Sequence, residues 1–204
     1  MTTVIYIHGK GGSAAEAEHY RPLFPGCTVI GWEYCAATPW DAKNEWAGLW
    51  RQTAGLSDDV ILIANSIGAF FAMHALDAAG IGRAYFISPV VDMERLIAGR
   101  MAQLGVTEDE LRAKREIATP FGEPLSWEYL RYVREHPIRW NAPTHILYGE
   151  NDPLTPRGAM AAFAAAAGAT LTVMAGGEHW FHTREQMDFL DRWIRRYETD
   201  TNGG

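Results

Sequence analysis

Short, largely apolar runs punctuate the chain at residues 4–7, 27–30, 60–64, 83–88, 144–148 and 170–175. The run at 60–64, Val-Ile-Leu-Ile-Ala, is the purest. Without polar alternation it reads as a strand buried on both faces, as at the centre of a parallel sheet. Between the runs the spacing of apolar residues turns helical. An Ala/Glu-rich segment closes near Pro22, and Trp46, Leu49 and Trp50 share one face of a helix predicted over 41–54. A further helix follows the central run to about residue 79, and an amphipathic one spans 184–197. Strand and helix alternate throughout, which predicts an α/β class: a three-layer α/β/α sandwich around a six-stranded, mostly parallel sheet.

One interval breaks the alternation. Residues 89–141 contain only helical patterns: one over 92–104, one opened by the capping box Thr107-Glu-Asp-Glu110, and one over 126–136 stopped by Pro137. The expected organisation is a single domain over 1–200 with a helical cap insertion at 91–141 and a tail at 201–204. An insertion of that size into an α/β repeat is expected over the carboxyl edge of the sheet, where ligands bind. Helices that simply extend one layer are the alternative.

Composition narrows the class of partner. With 204 residues, 48% hydrophobic and 21% charged, the chain suits one sizeable core of ordinary soluble type. Eighteen basic against 25 acidic residues give a net charge of −7, and no basic cluster stands out. Nucleic acid and anionic membrane surfaces are therefore poor partners, and a small molecule is the better one. No apolar run approaches the ~20 residues that span a bilayer, and no signal-peptide layout precedes the first strand, so a cytoplasmic location is expected. Cys27 and Cys35 have neither disulfide-framework nor metal-site spacing and read as packing residues.

The chemistry starts where the central run ends. Ala64-Asn65-Ser66-Ile67-Gly68 puts small residues two before and two after a serine, the requirement of a strand-to-helix turn so sharp that the two backbones pass too close for a larger side chain. Such a nucleophile elbow thrusts the hydroxyl out at the sheet's edge; the bland alternative is a serine N-cap. A nucleophilic serine needs a base to take its proton and an acid to hold the base in the right tautomer. Gly149-Glu-Asn-Asp152 leaves a carboxylate at the end of the strand over 144–148, and Gly176-Gly-Glu-His179 is a glycine loop able to aim an imidazole into the same crevice. Asp92 competes for the role of acid, with a helix N-cap as its other reading. Glu150 falls on the wrong side of a two-residue alternation and reads as solvated. His182 precedes the capping box Thr183-Arg-Glu-Gln186 and reads as a surface or supporting residue. The histidines form no zinc pattern.

With these motifs the chain resembles the α/β-hydrolase superfamily, in particular small bacterial, esterase-like serine hydrolases lacking the first two strands of the full sheet. The resemblance covers Val4 to Tyr197 and rests on His8-Gly9, Ala64-x-Ser66-x-Gly68, Gly149-x-x-Asp152-x-x-x-Pro156 and Gly177-x-His179, in that order. Ala64 for the usual glycine and Lys10 for a small or apolar residue depart from the pattern. The resemblance implies a carboxylesterase acting on a small-molecule acyl substrate, an ester or else a thioester or amide, with Ser66, His179 and Asp152 as triad and no metal or cofactor. It adds an oxyanion hole formed by the backbone N–H groups of Lys10 and Ile67, braced by His8. A strand order 2-1-3-4-5-6 agrees with this, because it opens a crevice between Gly9-Lys10 and Ser66-Ile67. Trp32, Tyr34, Trp40, Trp127, Trp140 and Trp180 lie near loops, where they could line an acyl pocket or pack the cap to the sheet.

Two rivals come from other classes. Gly9-Lys-Gly11-Gly-Ser-Ala14, with Glu33 after the next strand, satisfies the fingerprint of a Rossmann-type dinucleotide-binding oxidoreductase. That reading leaves the motifs at 66, 152 and 179 without a purpose. A hydrolase-like scaffold serving as a binding module is the other.

Overall fold

The computed structural model describes residues 2–53, 57, 59–120 and 122–201. In chain order the strands are β1 (Thr2–Ile7), β2 (Thr28–Trp32), β3 (Asp59–Asn65), β4 (Arg83–Ile87), β5 (Glu116–Ile117), β6 (Leu125–Ser126), β7 (Thr144–Gly149) and β8 (Thr170–Met174). The α-helices are α1 (Pro39–Thr53), α2 (Ser66–Ala75), α3 (Met93–Leu104), α4 (Glu108–Lys114), α5 (Trp127–Glu135), α6 (Arg157–Ala167) and α7 (Arg184–Thr201). The chain divides into two compact units, residues 92–138 and the remainder.

The larger unit holds an all-parallel sheet ordered β2-β1-β3-β4-β7-β8. Counted among these six strands alone, that is the expected 2-1-3-4-5-6. Register brings Ile7 beside Ala64 and Asn65 beside Ile87, so the carboxyl ends of β1, β3 and β4 finish level and present one rim. The strands lack polar alternation because both faces are covered. Val4, Tyr6, Ile61, Ile63, Tyr85 and Leu147 join one cluster with Leu190, Trp193 and Ile194 of α7, while the alternate residues Ile5, Ile7, Leu62 and Ala64 are equally buried. Trp32 of β2, Trp46 of α1 and Phe71 of α2 meet edge to face.

Several boundaries differ from the sequence expectation. The first helical segment is a 3-10 helix, Ala14–Leu23, with Pro22 inside it. α2 ends at Ala75, and a separate 3-10 turn over Ala78–Gly80 is capped by Asp77. α6 went unread because a run of alanines carries little apolar periodicity; it stops at Gly168, whose φ of 64° suits a residue without Cβ. α7 continues through Thr201, so the expected tail begins inside a helix, and residues 202–204 lie outside the described ones, as does Ala54 at the end of the helix predicted over 41–54.

The smaller unit contains α3, α4 and α5, with Asp92, Thr107 and Ser126 as side-chain N-caps, around Met101, Leu111, Leu125 and Leu130. It also contains an antiparallel pair, β5 with β6, where only helices were expected. Strands of two residues are too short to show a period.

One titration reports on the larger unit. His145 of β7 is half-buried, stacks on Tyr197 at 3.7 Å and lies 2.8 Å from Thr170 Oγ1. Burial first, and the nearby Arg83 charge second, hold its pKa below the ordinary value of about 6.5. The folded state therefore favours neutral imidazole, and the stability this contributes above pH 6.5 is lost as pH falls through the lowered value. Urea midpoints measured across that range are expected to drop less on acidification in His145→Gln than in the wild type.

Candidate active site

β3 runs straight into α2, and the reversal falls on Ser66, whose φ of 48° lies in the left-handed region that a side chain seldom occupies. Asn65, with extended backbone, is the N-cap, so the reading of Ser66 as an ordinary cap residue does not hold. Close approach explains the small neighbours. A Cβ on Gly68 would come within 2.3 Å of the His8 carbonyl oxygen, and one on Gly9 within 3.3 Å of Ser66 Cβ. The backbone after β1 thus lies against the serine. Ile67 occupies the first turn of α2, where backbone N–H groups lack an intrahelical acceptor.

Asp152 and His179 come from two loops fastened together. Glu150 N–H donates to the Met174 carbonyl (3.0 Å), Asn151 N–H to the Gly177 carbonyl (2.8 Å), and Gly176 N–H to Glu150 Oε2 (3.0 Å). Glu150 is exposed, as expected, yet it also orders the histidine loop. The loops meet because Gly149 has no side chain: a Cβ there would sit 2.3 Å from the Glu178 carbonyl oxygen. Gly149→Ala is expected to push the histidine loop outward by about 1 Å and cost roughly 10²-fold in kcat, read in an ester assay.

The Ser66 hydroxyl donates to His179 Nε2 at 2.7 Å, and His179 Nδ1–H donates to Asp152 Oδ2 at 2.7 Å. The Asp152 side chain is wholly buried; its other oxygen accepts from the Leu154 and Thr155 N–H groups at 2.8 and 3.3 Å. A carboxylate facing Nδ1 puts the imidazole proton there and leaves Nε2 as an acceptor for the serine. Asp92, the competing acid, instead caps α3 by accepting from Arg95 N–H at 3.0 Å. Gln186 caps α7 through both directions of the expected box with Thr183.

Ser66 and His179 line a cleft of about 640 Å³. Lys10 and Gly9 border it, as do Ile87, Leu154, Phe181, Met187 and Leu190. Of the six aromatic residues considered for an acyl pocket, Trp180 lines the cleft. Trp32 and Trp140 are buried in the larger unit, and Trp127 lies under the Arg112 guanidinium in the smaller one. Cys27 packs on the core, whereas Cys35 is exposed, so its reading as a packing residue is corrected.

Two cleft residues escaped the sequence reading. Asn65 Nδ2 donates to the Tyr6 hydroxyl at 2.9 Å, and that hydroxyl donates to the Glu16 carboxylate. Burial above all, then Tyr20 and Glu16, holds the Tyr6 pKa far above the ordinary phenol value, so it stays a neutral donor. The available signal was one hydroxyl-bearing ring in the aliphatic run of β1. His8 is buried, stacks on Tyr34 at 4.4 Å, and its Nδ1 lies 2.8 Å from the Gly9 carbonyl oxygen, while the Tyr34 hydroxyl donates to the His8 carbonyl at 2.7 Å. Glu33, the ribose-binding acid of the dinucleotide reading, is engaged by Ala14 N–H at 3.1 Å. Among the described residues, no cluster of three His, Cys, Asp or Glu is arranged to hold a metal, and no helix is long and apolar enough to cross a membrane.

The sheet order, the serine reversal and the loops after β7 and β8 together define the α/β-hydrolase fold. Known structures with that fold match along essentially the whole chain. Est1E from Butyrivibrio proteoclasticus, solved with ferulic acid bound, superposes with a TM-score of 0.74 at 18% identity, over 100% of this chain and 90% of its own. Mouse α/β hydrolase domain-containing protein 10 gives 0.71 at 16% identity over 98% and 90%, and the thioesterase domain from the curacin biosynthetic pathway 0.58 at 16% over 95% and 90%. The sequence matches no family model and no curated protein.

Proposed function

We propose that this protein is a serine hydrolase that cleaves a carboxylic ester, or a thioester or amide, of a small-molecule acyl substrate. The observation that carries the reading is the unbroken hydrogen-bond chain from Ser66 Oγ through His179 to the buried Asp152, at the edge of a cleft. His179 Nε2 takes the Ser66 proton as Oγ attacks the acyl carbon. The tetrahedral oxyanion is held by the Lys10 and Ile67 N–H groups, each such donor being worth about 3 kcal/mol. Collapse expels the leaving group with the proton from His179, and water activated by the same imidazole frees the acid and restores Ser66. No step calls for a metal or cofactor. The thioesterase neighbour supports acyl transfer as the class of reaction. Labelling with a fluorophosphonate probe, followed by peptide mapping, is expected to modify Ser66; absence of labelling, or labelling elsewhere, sinks the reading.

A further inference from the structure

Among the described residues, the large apolar side chains left exposed are Leu154, at 39%, and Trp180, at 70%. One lies two residues after Asp152 and the other directly after His179, on different loops, yet both line the cleft at Ser66. Scattered single exposures would carry no meaning; two meeting at one site do.

The indole is held in place. Its ring stacks on His182 with centroids 4.3 Å apart and planes 18° from parallel. His182 Nδ1 lies 2.8 Å from the Trp180 carbonyl oxygen, and the His182 N–H donates at 3.1 Å to Gln186 Oε1 in the cap of α7. A ring with one face covered and 70% of the residue exposed presents its other face openly. Burial of an indole is among the largest apolar gains available to a folding chain; here that gain is forgone beside the imidazole.

The reaction itself decides which part of a substrate meets this surface. His179 Nε2 has to deliver its proton to the leaving-group oxygen over roughly 3 Å. The leaving group therefore lies against the histidine loop, whose next residue is Trp180. We infer that Trp180 forms a leaving-group subsite and that the preferred substrates are esters of alcohols bearing an aromatic ring, which stacks on the open indole face. The inference rests on the serine hydrolase reading.

Benzyl acetate and cyclohexylmethyl acetate separate flat stacking from simple greasiness. They share one acyl group, hence one acyl-enzyme, and their alcohols are of similar acidity, so the ratio of their kcat/KM values reports leaving-group recognition during acylation. Wild-type enzyme is expected to favour the benzyl ester by about three- to tenfold, the range an aromatic pair supports. Trp180→Ala should bring the ratio close to one, and Trp180→Phe should keep most of it. Because each ratio is taken on one preparation, partial unfolding of a variant does not imitate the result. A wild-type ratio near one, or a ratio unchanged in Trp180→Ala, overturns the subsite.

If neither acetate turns over, protection of Ser66 from the fluorophosphonate is the readout. Benzyl alcohol slowing labelling more than cyclohexylmethanol supports the subsite; equal protection, or none, overturns it. Failure of labelling itself sinks the hydrolase reading instead.

Discussion

Ser66→Ala is expected to lower kcat on p-nitrophenyl acetate by about 10⁴- to 10⁶-fold, the scale on which removal of a triad nucleophile acts. The change deletes the oxygen that the proposed mechanism acylates, which is also the donor of the 2.7 Å bond to His179 Nε2. Alanine keeps the Cβ and the strained φ of 48°, so the urea midpoint should stay close to that of the wild type. Turnover surviving within tenfold of wild type would mean that Ser66 is not the nucleophile and that hydrolysis runs through another group.

Asp152→Asn should cost about 10⁴-fold in kcat with little change in fold, a loss that comes from the imidazole's tautomer. Oδ1 of the native residue already accepts from Leu154 and Thr155 N–H, so the asparagine oxygen is drawn to that side. Its NH₂ then faces His179 Nδ1. Two donors cannot share that contact, so Nδ1 becomes the acceptor, the ring proton moves to Nε2, and the atom facing Ser66 can no longer take a proton. Initial rates across pH 6–9 measure the effect, and a loss smaller than tenfold would remove Asp152 from the role. Asp92→Asn is the matching control: asparagine caps a helix as well as aspartate does, and kcat should not move.

Much of this site could be read from local patterns, for physical reasons that differ by element. The small residues around Ser66 record a backbone crossing, visible now as the 2.3 Å that would separate a Gly68 Cβ from the His8 carbonyl. Thr107 and Thr183 were readable as caps because capping is settled within four residues. Asp152 and Asp92 looked alike at that range, each a carboxylate beyond a strand. What separates them is long-range: Asp152 meets an imidazole 27 residues away, whereas Asp92 caps its own helix. The aromatic residues were left with two readings for the same reason, since indoles near loops bury in the core or line a cleft according to which loops come together.

The sequence by itself therefore determined the alternation of elements, the parallel sheet and the elbow, all of which follow from periodicity and from contacts a few residues apart. Only the tertiary structure decided the 2.7 Å meeting of Ser66 and His179 across 113 residues, the fastening of Glu150 to the histidine loop and the exposure of Trp180 at the cleft. Such contacts depend on strand order and loop path, which bring distant segments together and leave no period in the chain.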